Sequence, residues 1–170
     1  MDLRLRPVRE SDEAAFRAAH VSLWDTDGFA FGLNYDPEEP FAAFVERHRD
    51  FARGINLPPG LVPATFLIAV VEGEIVGRAS IRHDLNEFLR TDGGHIGYGV
   101  LEDHRRNGYA TEILRQSLIV ARSLGLDSAL LICAEDNVGS RTVIERCGGE
   151  LANVGTGYEG DAIRRYHITL

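Results

Sequence analysis

Apolar and polar positions alternate in short blocks along the chain, and the period of each block assigns an element. Leu3, Leu5 and Val8 alternate with arginines, as in a half-buried first strand. Ser11-Asp12-Glu13 then opens a helix to about Leu23, with Ser11 as its expected cap and the acids at its positive end. The stretch from Trp24 to Pro63 is less regular. It carries the turn signals Asp25-Thr26-Asp27-Gly28 and Asn34-Tyr35-Asp36-Pro37. Within it, Pro40 to His48 predicts a second helix with Phe41, Phe44, Val45 and His48 on one face.

Thr65 to Val71 is a continuous apolar run, expected as a strand buried on both faces. Glu72-Gly73-Glu74 turns the chain, and Ile75 to Ile81 returns as its partner. After a polar loop, His95 to Val100 forms a fourth strand. Tyr109 to Leu124 is the clearest helix, with Ala110, Ile113, Leu114, Ser117, Leu118 and Ala121 on one face and Gly125 as C-terminal cap. Ser128 to Cys133 reads as a fifth strand and Asn137 to Cys147 as a helix stopped by Gly148-Gly149. Leu151 to Val154 and Ile163 to Leu170 close as a pair of strands. This order predicts an α/β (α+β) fold, a mixed sheet with helices on both faces, as one domain over residues 1–170.

Composition narrows the function. The 170 residues suit a single core, and 44% apolar with 26% charged residues is ordinary for a globular protein. No run approaches a membrane span, and the first residues lack a signal-peptide core, so a cytoplasmic protein is expected. Net charge is −8, which argues against nucleic-acid binding and is compatible with a cationic substrate. Cys133 and Cys147 form no close ligand pair, so neither a disulfide nor a metal site is expected.

The chemistry concentrates where the fourth strand passes into the strongest helix. A helix start offers free N–H groups and a positive dipole end, which bind an anion. Gly108 permits close approach of a ligand, Ala110 keeps the helix start uncluttered, and Arg105 and Arg106 add positive charge. The segment Arg105-Arg106-Asn107-Gly108-Tyr109-Ala110 resembles the Arg/Gln-x-x-Gly-x-Gly/Ala signature of GNAT acetyltransferases. Gly94 to Val100, Asp136 to Glu145 and Gly148 to Leu151 resemble the neighbouring strand, helix and turn of that family. The likeness covers Thr65 to Leu170. Trp24 to Pro63 has no firm match.

That resemblance implies a GNAT-type, mostly antiparallel twisted sheet and an acetyl-CoA co-substrate without a metal. It implies that amides from Arg106 to Thr111, including Asn107, Gly108, Tyr109 and Ala110, hold the pyrophosphate. Gly99 and Val100 would pair with the pantetheine arm, and Asn137 would bond it with Ser140 nearby. The acetyl group would sit where the fourth strand splays from the fifth. The implied reaction is acetyl transfer to a primary amine of a small molecule or peptide by direct attack. A non-catalytic acyl-CoA sensor and an acyltransferase using a longer acyl-CoA are the alternatives. The family often dimerises, which leaves a homodimer open.

Several residue readings stay double. Asn137 is a ligand or a helix cap. His95, Gly97 and Gly99 share one strand face, which is either bare for a thin ligand or closely packed. His95 and Glu135 are candidate bases for the amine, with structural or exposed roles as the bland alternative. The tyrosine that many GNAT enzymes place seven residues after the Asn is Ile144 here, so Tyr98 or Tyr166 is left to substitute as acid. Cys133 as acyl carrier is disfavoured by its apolar strand. Trp24, Phe29, Phe31, Tyr35, Phe41 and Phe44 are core or acceptor pocket. Asp25, Asp27 and Asp36 are exposed turns or a lure for a cation.

Overall fold

The central hairpin follows from its turn. In the computed structural model, which describes residues 2–170, β2 (Ala64–Val71) and β3 (Glu74–Arg82) pair antiparallel. Glu72 and Gly73 both take positive φ, 52° and 90°, the turn whose twist matches that of the flanking strands. β1 (Arg4–Arg6) adds to β2 and β4 (Ile96–Val100) adds to β3, giving a sheet of order β1-β2-β3-β4. A second antiparallel sheet, of order β5-β7-β6, contains β5 (Ser128–Ala134), β6 (Glu150–Thr156) and β7 (Ala162–Thr169).

Alternation along β2 divides the core in two. Phe66 and Ile68 pack with Phe16, Leu23 and Phe44 from α1 (Glu13–Asp27) and α2 (Phe41–Ala52). Leu67 and Ala69 enter a second cluster with Ile113 and Leu114 of α3 (Tyr109–Ser123) and Ile144 of α4 (Val138–Arg146). The strand is therefore buried on both faces, as its unbroken apolar run predicts. Each large apolar side chain buried this way contributes roughly 1.5–3 kcal/mol. Gly125, at φ 90°, follows α3 in a Schellman arrangement. Its N–H donates to the Arg122 carbonyl at 3.0 Å and that of Leu126 to the Ala121 carbonyl at 3.2 Å.

Three local expectations need correction. Ser11 does not cap α1; it lies inside a short 3₁₀ turn, Glu10–Asp12. The Asp12 carboxylate instead accepts the Arg9 N–H at 2.8 Å and both Arg6 guanidinium nitrogens at 2.7 and 2.8 Å. An ionised acceptor with a bidentate partner outcompetes a neutral hydroxyl. α1 also runs past Leu23, through the expected turn, to Asp27, with Gly28 at φ 62° ending it. The polar loop before β4 holds a π-helical turn, Leu89–Gly93, anchored by Leu89 against Leu85 and Leu130. No helix is long and apolar enough to cross a membrane among the described residues.

The two sheets join at one backbone contact. His95, just before β4, donates its N–H to the Leu130 carbonyl at 2.7 Å. Gly94 makes this approach possible: at φ 64° and ψ −172° it occupies a region reserved for glycine. A Cβ there would lie 2.6 Å from the Leu130 carbonyl oxygen. Beyond this point β4 and β5 are not paired.

Gly94→Ala should therefore lose at least about 2 kcal/mol, since strain and a backbone clash add. Gly160→Ala, at φ 86° with open space around it, should lose only the roughly 1 kcal/mol of left-handed strain. Urea unfolding of the two variants compares them directly; equal losses would remove the special role of Gly94.

Candidate acetyl-CoA site

The loop between β4 and α3 exposes an unbroken row of donors. The N–H groups of Arg106, Asn107, Gly108, Tyr109, Ala110 and Thr111 find no hydrogen-bond acceptor among the described residues. The first α3 bond is the Glu112 N–H to the Gly108 carbonyl at 3.2 Å. Arg106 at φ 65° and Gly108 at φ 78° bend the backbone into the left-handed region, a geometry that gathers successive amides into a concavity. For Arg106 that conformation costs roughly 1–2 kcal/mol. The Asn107 amide braces the loop by donating to the carbonyls of His104 at 3.2 Å and Arg105 at 3.3 Å. Together with the α3 dipole, this is an anion cradle.

The two arginines differ in role. The Arg105 Nε donates to the Val100 carbonyl at 3.1 Å, and its guanidinium pairs with Asp27 at the end of α1. That pairing accounts for Asp27, one of the three acids left open by the sequence. Arg106 is exposed and forms no ion pair with any described residue.

The divergence of β4 from β5 leaves a backbone edge open. Arg82 N–H to His95 carbonyl (2.8 Å) and Leu101 N–H to Val76 carbonyl (3.0 Å) fix which residues face β3. With the register Arg78↔Gly99, the backbone groups of Gly97 and Gly99 face β3. Those of Tyr98 and Val100 face the opening. Gly99 is thus a correction: its polar groups belong to the β3 ladder, and Tyr98 takes its place at the free edge. The face of Gly97 and Gly99 is packed. A Cβ on Gly99 would meet Phe29 at 3.3 Å and Leu23 at 3.4 Å, and one on Gly97 would meet the Arg82 guanidinium at 3.3 Å.

Side chains from three elements meet in the opening. The Tyr98 hydroxyl lies 3.0 Å from the Ser140 Oγ. Burial pushes the Tyr98 phenol up, and burial also raises the Cys133 thiol, which leaves that cysteine a poor nucleophile. Asn137 caps α4, its Oδ1 accepting the Ser140 N–H at 2.9 Å. The cap reading of Asn137 is realised, and its exposed amide nitrogen remains available to a ligand. Ile144 is fully buried, so its position faces the core, not the opening. Tyr166 is equally buried and donates to Glu145 at 2.9 Å, which removes it as an acid at this site.

Both candidate bases have structural partners. The His95 Nδ1 accepts the Leu130 N–H at 2.9 Å, so this ring completes the contact between the sheets. Burial pushes the imidazole below its usual range, keeping it neutral at pH 7. Glu135 accepts two bonds from Arg164, both 2.7 Å, and these hold its carboxyl below the usual range. A carboxylate so stabilised is a weaker base.

The candidate aromatics of the irregular region are mainly core, while Leu33, Asn34, His48 and Leu61 of the same region line a cavity. Phe31, Phe41 and Phe44 are buried around Phe16, and Tyr35 packs against them. Trp24 is exposed. Asp36 accepts the Glu38 N–H at 2.9 Å in a local turn. Sequence reasoning missed Arg78, buried on β3, and half-buried Arg82, both beside Gly97. Their signal was present: two arginines four positions apart, hence on one face of a largely apolar strand.

Comparison with known proteins follows the same line. The family model described as Acetyltransferase (GNAT) domain matches residues 2–150. No curated protein matches the chain in sequence. Among solved structures, a ribosomal L7/L12 alpha-N-protein acetyltransferase in complex with coenzyme A superposes with TM-score 0.71 at 19% identity, covering 99% of this chain and 94% of that one. A Salmonella typhimurium acetyltransferase that modifies the N-terminal serine of ribosomal protein L7/L12 gives TM-score 0.69 at 21% identity, covering 99% and 95%. A further Salmonella typhimurium protein, solved with its cofactor acetyl-CoA, gives 0.67 at 13%, covering 100% and 95%. At such identities the structures speak for the fold. The family model spans most of the sequence, and on that ground the chain belongs to the GNAT acetyltransferase family.

Proposed function

We propose that the chain transfers an acetyl group from acetyl-CoA to a primary amine by direct attack. One observation carries this reading: six consecutive amides without acceptors, gathered at the positive end of α3. They suit the two phosphates of coenzyme A, with exposed Arg106 as an added cation. The free edge of Tyr98 and Val100 suits the amide-bearing pantetheine arm as an added strand. The Asn137 amide nitrogen, exposed at the start of α4, suits a further bond to the same arm.

An acetyl group delivered into the opening meets an N–H of the β4 edge, which polarises the thioester carbonyl. The amine nitrogen attacks the carbonyl carbon and the carbon–sulfur bond breaks. Sulfur leaves with the electron pair as a thiolate that accepts a hydrogen bond from the Ser140 hydroxyl, itself bonded to Tyr98, and is neutralised through water by the proton the amine releases. This assignment replaces the missing tyrosine at position 144 and leaves His95 and Glu135 to their structural contacts. A small-molecule amine and a protein N-terminus both satisfy this chemistry.

Gly108→Val should weaken coenzyme A binding at least about tenfold by calorimetry, because a β-branched residue at this φ displaces at least one charge-assisted bond. Unchanged affinity would remove the cradle from the argument. Ser140→Ala and Tyr98→Phe should each lower kcat by about tenfold or more while leaving acetyl-CoA affinity near that of the parent. Thiol release measures the first quantity and calorimetry the second; a loss confined to affinity would make the pair a binding element only. With an amine of pKa about 10.4 as acceptor, log kcat/KM should climb with a slope of about one from pH 6 to 9, because the neutral fraction sets the rate. Both perturbed groups, His95 and Glu135, have lowered pKa values and lose their protons at lower pH. A bend between pH 6 and 8 would reveal a titrating group on the enzyme.

A further inference from the structure

Surface arginines in this protein are commonly matched with acids: Arg6 with Asp12, Arg47 with Glu39, Arg115 with Glu112 and Arg164 with Glu135. Two arginines of β3 are not. Arg78 is 1% exposed, Arg82 is half-buried, and neither forms an ion pair with any described residue. A buried charge without a counter-charge is strongly unfavourable. Burial and the nearby Arg82 charge push the Arg78 guanidinium below its usual range, and burial does the same to Arg82.

Donors on both side chains are unspent. Arg78 bonds the Ala30 carbonyl at 2.9 Å and stacks 4.3 Å over the Phe29 ring, but its Nε is buried without a partner. Arg82 gives Nη1 to the carbonyls of Gly93 at 3.1 Å and Gly94 at 3.4 Å. Its Nε and Nη2 have no acceptor among the described residues. Arg82 borders a cavity of about 220 Å³, together with Asn34, Ser80, Asn86, Phe66 and Leu61. His48, also on its wall, is pushed down to about 4 by burial and is neutral, so it brings no competing charge.

The place of this cavity relates it to the reaction. The Arg82 N–H bonds the carbonyl of His95, the residue after which β4 leaves β5. The guanidinium lies over Gly97, on the α1–α2 face of the sheet. It is therefore one strand away from the opening where the acetyl group is delivered. A cavity this size falls below the roughly 300–1,000 Å³ of sites for larger ligands.

We propose that the cavity beside Arg82 is a carboxylate subsite, and that the acceptor is a small amine that also carries a carboxylate, as an amino acid does. Arg82 supplies two parallel N–H donors from Nε and Nη2, the fork that matches a carboxylate. Arg78 adds positive potential from behind. The overall negative charge of the protein does not oppose this, because salt screens exposed charges lying more than about 8–10 Å away. The inference rests on the acetyltransferase reading above and specifies the acceptor of that same site.

The test compares α- and ω-amino acids with their carboxamides and with the corresponding simple amines. Acetyl-CoA-dependent thiol release gives kcat and KM, and calorimetry gives binding of each compound to the coenzyme A-loaded protein. The acids should be preferred over their carboxamides at least about tenfold in kcat/KM. Arg82→Gln should erase that preference through KM, with kcat and coenzyme A affinity near those of the parent, and Arg82→Lys should restore part of it. Should Arg82→Gln fail to fold, Leu61→Trp narrows the cavity from an exposed loop and should raise KM for the acids alone. Equal use of acids and carboxamides, a preference surviving Arg82→Gln, or turnover confined to peptides would overturn the carboxylate subsite and leave the acetyltransferase standing. Failure of the parent protein to bind coenzyme A would instead sink the acetyltransferase reading itself.

Discussion

The contact between His95 and Leu130 sets the geometry on which the site depends. It is made twice, by the His95 N–H to the Leu130 carbonyl and by the Leu130 N–H to the imidazole Nδ1. A side chain thus takes over the bond that a longer β4–β5 ladder would have made with backbone. The strands are held at one end and diverge at the other. The backbone groups of Tyr98 and the N–H of Val100 are left without partners among the described residues, while those of Gly97 and Gly99 are committed to β3 and the Val100 carbonyl accepts Arg105 Nε. Unpaired backbone donors and acceptors away from bulk water are costly unless something pairs with them. A ligand with alternating amides relieves that cost, which is why a gap in the sheet is the natural course for a pantetheine arm.

The same logic governs the β4–α3 loop. Two residues of the loop lie in the left-handed region, and the non-glycine one, Arg106, stores strain that an ordinary connection would avoid. What the strain maintains is a row of amides aimed outward with no internal partner. Asn107 bonds the carbonyls of the loop and leaves the N–H groups alone, so it stiffens the cradle without filling it. Arg105 works in the same direction. Tied to Val100 and Asp27, it fixes the loop to β4 and to α1.

Much of this was legible before any coordinates. The two-face burial of β2, the tight Glu72-Gly73 turn and the amphipathic stripe of α3 follow from periodicity alone. The anion-binding character of the loop follows from a glycine at a helix start. What was not legible depended on contacts distant in sequence. Ser11 is a sound cap by local rules, yet Asp12 captures both Arg6 and the Arg9 N–H, which no local propensity reports. Gly99 looked like the residue to face a ligand, but ladder parity, fixed by a register with β3, assigns that edge to Tyr98. His95 and Glu135 have the right chemistry for bases, and only tertiary structure reveals their partners at Leu130 and Arg164. The Arg78–Arg82 pair was visible as an oddity in an apolar strand. Its meaning required knowing that neither forms an ion pair with any described residue.

Buried cations make a stronger statement about specificity than surface charge does. A net charge of −8 suggests attraction of cations, but that field is spread over exposed groups and screened within about 8–10 Å at ordinary ionic strength. In the proposed subsite Arg82 acts at contact distance, with buried Arg78 close behind it. An acceptor that satisfies them recovers part of a desolvation cost already incurred in folding, whereas a neutral isostere leaves it standing. Discrimination then arises from what the wrong acceptor fails to pair, a mechanism that yields larger ratios than apolar shape alone. The positioning of these arginines on β3, rather than on the variable loops, gives that discrimination a rigid support. The strand bearing them is hydrogen-bonded on both edges, to β2 and to β4, so the charge is held in register with the opening proposed for the acetyl group.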